Sequence, residues 1–133
     1  MISLSSAKRA ALGAVILILV LTVLEFPPPI GFETRPQSNV SIIWLAFFIV
    51  ILIVEIATIP LIYRSPSVGG GLGILGAILN ILQVFADQAH LMQPEVAPLG
   101  YSILEGMVVL ASVALAYFSW AARQAARMPA PQS

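Results

Sequence analysis

The stretch Gly69–Leu91, GGGLGILGAILNILQVFADQAHL, decides how the rest of the chain is read. Taken with a helical period, Gly73, Gly76, Asn80, Gln83, Asp87 and His90 recur at spacings of three and four, which predicts all six on one face of one helix. The other faces are Leu, Ile, Val and Phe. On a helix bathed in water this arrangement would be inside out. In a very apolar chain it describes a membrane helix whose small and polar stripe turns toward neighbouring helices.

The composition agrees. Of 133 residues, 59% are hydrophobic and 9% charged, with a mean hydropathy of +1.00, whereas soluble domains carry about a quarter charged residues. A chain of this length is expected to form a single domain, residues 1–133. The absence of cysteine excludes disulfides, thiolate metal sites and cysteine nucleophiles. Six basic and six acidic residues cancel, leaving no net field to attract nucleic acid.

Working outward, three more apolar segments flank the first. Residues 10–26 follow the basic head Lys8-Arg9 and are just long enough to span a hydrocarbon core. No small-x-small cleavage site follows, because Glu25-Phe26 runs into Pro27-Pro28-Pro29, so an uncleaved first helix is expected and not a signal peptide. The proline-rich stretch 27–39 is predicted as a loop. Its Asn39-Val40-Ser41 matches a glycosylation sequon and is best read as chance, since it abuts the next apolar segment. Residues 41–63 form the second predicted helix, with Ser41 as its N-cap, Glu55 inside it and a kink expected near Ile56 from Pro60. The short link around Arg64-Ser65-Pro66-Ser67 makes the second and third helices antiparallel neighbours. After the third, at 69–91, Pro94, Pro98 and Gly100 mark a loop, and the fourth helix is predicted over 101–123 with a disordered tail, 124–133.

The predicted fold class is therefore an all-α integral membrane protein with four transmembrane helices in an antiparallel bundle. Charge placement sets its expected orientation. Lys8, Arg9, Arg64, Arg123 and Arg127 fall on one side and Arg35 alone on the other, so both termini are expected in the cytoplasm of a multi-pass cell-membrane protein. Glu25, Glu33, Asp87, Glu95 and Glu105 gather toward the opposite, outer end, with Glu55 deeper. Trp44 and Tyr101 near the outer boundary, and Tyr63 and Trp120 near the inner one, fit aromatic belts.

The candidate site follows from depth. At 1.5 Å per residue, Asp87 and Glu105 each lie about 6 Å below the outer ends of adjacent helices, and can face one another. Glu55 and Asn80 lie at about 12 and 16 Å from the inner ends of theirs, close enough for a hydrogen bond. Glu55, Asn80, Gln83, Asp87, His90 and Glu105 thus outline a polar track from mid-membrane to the outer surface. Gly69, Gly73, Gly76 and Ala77 form a small-residue surface that draws a helix close on the inner half, giving a pocket open outward and no through-pore. Plain structural roles compete with this reading. Asn80 and Gln83 serve as interhelical glue, His90 as an interfacial residue, and Glu105 as a first-turn acid facing its helix dipole.

No resident metal or cofactor is expected. Asp87 and His90 stand three apart, but di-metal bundles need two acid-x-x-His pairs and this chain has one histidine. Gly69-Gly70-Gly71 lacks the lysine of a phosphate loop, and no serine sits in a nucleophile elbow. The leading expectation is an accessory subunit or binding protein holding a lipophilic or cationic ligand in the pocket. The alternatives are a small enzyme using Glu55, Asp87 or Glu105 as general acid or base on a quinone, isoprenoid or lipid, and a proton-coupled transporter. Expected partners are membrane lipids, together with other membrane subunits or a second copy meeting at Gly69, Gly73, Gly76 and Ala77.

Overall fold

The computed structural model describes residues 2–25, 41–94 and 96–128. The predicted 27–39 loop, Glu33, Arg35, Asn39, Glu95 and residues 129–133 lie outside them. The described chain is helical, with four helices in the order α1 (Leu4–Leu24), α2 (Ile42–Arg64), α3 (Pro66–Gln88) and α4 (Leu99–Arg127). All four are long and apolar enough to cross a membrane.

Their ends are set by short-range chemistry that hydropathy does not report. Helix α1 begins six residues before the apolar run, because the Ser3 hydroxyl accepts from the Ser6 amide at 3.2 Å and so satisfies a free donor of the first turn. Ser41 caps α2 in the same way, accepting from Ile43 at 3.3 Å. Helices α2 and α3 are separated by Ser65 alone. Pro66 opens α3, where its missing N–H costs nothing and its fixed φ suits a first turn, so the helix starts three residues earlier than the glycine run suggests. Helix α4 continues to Arg127, which corrects the expectation of disorder from residue 124. Arg127 in its last turn complements the negative end of the helix dipole.

Helix α3 ends at Gln88, short of the predicted Leu91, and the reason is His90. Its φ of 61° places it in the left-handed region, with His90 N–H donating to Asp87 O at 3.0 Å and Leu91 N–H to Ala86 O at 2.9 Å. These two bonds are the Schellman pattern, in which glycine is the usual residue at the left-handed position. His90 is exposed there and leaves the helical face on which periodicity placed it.

The helices run antiparallel. The start of α1 meets the end of α2, where Lys8 Nζ donates to Tyr63 O at 3.5 Å, and the end of α1 meets the start of α4, where Tyr101 Oη donates to Glu25 O at 3.0 Å. Helices α3 and α4 form the centre of the packing: they contact each other extensively, α1 rests on α4, and α2 rests mainly on α3 and touches α1 little. The bundle has two ends: a terminal end, where α1 begins and α4 finishes, and a loop end. Every described lysine and arginine lies toward the terminal end, and every described acid lies between mid-bundle and the loop end.

The terminal half is built from small residues. A Cβ on Gly69 would run into the backbone of Leu61 and Ile62 in α2, one on Gly70 would sit 2.6 Å from Ser119 O in α4, and one on Gly73 would collide with the Ser119 side chain. Gly69, Gly73, Gly76 and Ala77 are all buried, packed against the chain's own helices. Beside it, Ala7, Ala11, Val15 and Ile18 of α1 pack with Leu115 and Ala122 of α4 at zero exposure. Burial at a spacing of three to four on each helix follows from ridges meeting grooves.

Outward, the molecule is greasy. Ile42, Ile43, Ile53 and Ile56 of α2, Phe85 of α3 and Leu110 of α4 are all largely exposed. Soluble monomers seldom present apolar area on this scale, whereas a lipid environment requires it.

Candidate functional site

Above the glycine-packed half the helices part and leave a cavity of about 300 Å3. Its sides are apolar and aromatic: Trp44, Phe48 and Leu52 from α2, Val84 from α3, Tyr101 and Val108 from α4. Its polar groups are Glu55 from α2, Asn80, Gln83 and Asp87 from α3, Glu105 from α4, and Thr22 and Glu25 at the end of α1. Met92 and Gln93 of the α3–α4 connection stand in its wall, where Met92 O accepts from Ser41 N–H at 3.3 Å.

At the floor, Asn80 Nδ2 donates to Glu55 Oε1 and to Gly76 O at 3.0 Å. The backbone positions of the pair differ in depth, Glu55 standing about 14 Å from the end of α2 and Asn80 about 21 Å from the start of α3. They meet because side chains lean toward the N-terminus of their own helix, and these helices are antiparallel, so Glu55 leans toward the loop end and Asn80 away from it. Gly76 lies beside the pair, and a Cβ there would make only ordinary van der Waals contact with Glu55 Cγ, at 3.6 Å. Glu55 is 1% exposed, and its second oxygen, Oε2, is buried with no hydrogen-bond partner among the described residues.

Toward the loop end, Asp87 and Glu105 hydrogen-bond to one another, as their equal depth predicts. Gln88 Nε2 donates to Glu105 Oε2 at 2.8 Å and to Ser102 Oγ at 3.2 Å, bracing the pair from outside. Glu25 is close enough to act on Glu105 through space. Both members of the pair are buried, at 6% exposure each.

Five of the six residues predicted from sequence, namely Glu55, Asn80, Gln83, Asp87 and Glu105, therefore line one cavity, and His90 does not. Sequence reading missed Glu25 and Thr22, whose signal was Glu25 closing an apolar run at the depth of Asp87. It took Trp44 and Tyr101 as interface anchors, although both line the cavity. Among the described residues, no three of His, Asp, Glu and Cys converge as a metal ion would require. The arrangement can hold a mostly apolar molecule with a polar head and can exchange protons with it.

Compared with known proteins, the chain matches no family model, no curated protein and no solved structure.

Proposed function

We propose that this chain is a membrane-embedded binding protein that holds a small lipophilic molecule with a polar head in the loop-end cavity, alone or as an accessory subunit. The observation that carries this reading is the Glu55–Asn80 pair. Glu55, whose Oε2 has no hydrogen-bond partner among the described residues, lines the floor of a cavity whose walls are mostly aromatic and aliphatic, with Gln83, Asp87 and Glu105 nearer the loop end. A buried polar atom without a partner is costly, and a ligand that supplies the partner recovers that cost on binding. The basic terminal end supports placing both termini in the cytoplasm, with the cavity facing the outer leaflet. The exposed Ile, Leu, Val and Phe surface supports membrane lipid as the surrounding partner.

A test is native mass spectrometry of the protein released from membranes, beside a Leu52→Trp variant that fills the cavity. The reading expects a bound small amphiphile on the wild type and none on the variant. Equal occupancy of both, or a bare wild type that no added amphiphile loads, contradicts it.

One observation favours catalysis as a second reading: Asp87 and Glu105 form a carboxyl pair on the wall of the same cavity, an arrangement suited to passing a proton to a bound molecule. It expects Asp87→Asn to retain the amphiphile while halting its conversion. Simple binding expects Asp87→Asn to be silent.

A further inference from the structure

We propose that the occupant is an amphipathic organic monocation, its charged head at Glu55 and its ring or short chain against Trp44 and Phe48. This inference rests on the binding reading above and adds the sign of the ligand's charge.

The charge inventory points one way. Glu25, Glu55, Asp87 and Glu105 all line the cavity, Asp87 and Glu105 sharing a proton in their hydrogen bond, and no described lysine, arginine or histidine does. The described lysines and arginines sit at the far end of the bundle, beyond the glycine-packed half: Lys8 lies over the Tyr63 ring, 5.7 Å from its centroid, and Arg123 over Gly70 and Gly71. Glu55 Oε2, on a residue 1% exposed, has no partner from the described protein, so a cation at the floor would complete that group. Attraction between opposite charges grows several-fold as the surroundings become less polar than water.

The walls specify what kind of cation. A bare metal ion needs several converging oxygens or nitrogens, and among the described residues no such cluster exists. A quaternary or protonated amine needs one counter-charge and aromatic faces, because ring quadrupoles attract diffuse cations. Trp44, Phe48 and Tyr101 supply those faces. A cavity of about 300 Å3 takes a head group with one ring or short chain. Access follows from the packing: the cavity is walled by α1 on one side and α2 on the other, the neighbouring pair that touches least, so a lipophilic cation can reach it from the bilayer.

The experiment uses three probes of one shape: 4-butylphenyltrimethylammonium, its uncharged carbon isostere 1-butyl-4-tert-butylbenzene, and the anion 4-butylbenzenesulfonate. Binding is read from Trp44 fluorescence of the full chain in lipid nanodiscs, with Trp120→Phe removing the other tryptophan and empty nanodiscs correcting for partitioning. The expected result is binding of the cation at least about ten-fold tighter than the isostere, with no response to the anion. Glu55→Gln is expected to abolish that preference while leaving the isostere's affinity within about two-fold. Equal binding of cation and isostere by the wild type would leave the cavity reading standing and overturn the cation, as would preference for the anion. No response to any probe would overturn both. The wild-type comparison decides the matter even if Glu55→Gln fails to fold.

Discussion

The two halves of this bundle solve the same problem differently. In the terminal half, helices approach through Gly69, Gly70 and Gly73, and the space between them is filled by Leu115, Ser119 and the alanines of α1. In the loop half, the same helices carry Gln83, Asp87 and Glu105, and α1 and α2 bring Glu25, Trp44 and Phe48 to a cavity. Both halves are surrounded by exposed aliphatic residues, so the difference lies wholly in what faces inward. Small residues let backbones close together, and dispersion between them seals the interior. Larger polar residues hold the helices apart and keep an interior that water or a ligand must complete. On the proposed reading, stability is thus concentrated at one end and binding at the other.

Substitutions can break that contrast, beginning with the seal. Gly73→Leu places a branched side chain where even a Cβ collides with Ser119, and is expected to cost about 3 kcal/mol in reversible unfolding from mixed micelles. The smaller Gly73→Ala should be rescued in large part by Ser119→Gly, and a double-mutant cycle without coupling would refute the contact. Next is the floor of the cavity. Asn80→Leu leaves both Glu55 oxygens without a partner among the described residues and is expected to cost about 2 kcal/mol in the same assay. Leu52→Trp should change stability by less than about 1 kcal/mol while removing ligand binding, since it fills open space. The smallest effect concerns the end of α3. His90→Gly relieves a left-handed residue and is expected to stabilise the fold by about 0.5 kcal/mol with binding untouched. A loss of binding in His90→Gly would return the histidine to the site.

Much of this contrast is legible along the chain. Four apolar runs give four helices long and apolar enough to cross a membrane, where a span would have to satisfy its backbone internally and shed its charges, a demand written residue by residue. The pairing of Asp87 with Glu105, and of Glu55 with Asn80, follows from counting 1.5 Å steps along antiparallel neighbours. The helix ends are less legible, because apolarity marks what lies in hydrocarbon and not what is helical. Ser3, Pro66 and Arg127 extend three helices through polar residues that hydropathy discards. His90 misleads for a related reason: the 3.6-residue period holds only while the helix does, and the left-handed turn at residue 90 ends it. The roles of Trp44 and Phe48 were not legible, since they depend on α1 and α2 touching little beside the cavity, which is a property of packing and of no single helix.

The absence of cysteine makes the difference between the halves directly measurable. Single cysteines placed at Val84 and Leu52 in the loop half, and at Ala77 and Leu115 in the terminal half, are to be exposed in intact membranes to a cationic methanethiosulfonate added from the non-cytoplasmic side. A loop-half cavity open outward and a sealed terminal half predict fast labelling at 84 and 52, slowed by a bound cation, and none at 77 or 115. Comparable labelling at all four positions, or labelling only from the cytoplasmic side, would contradict the account.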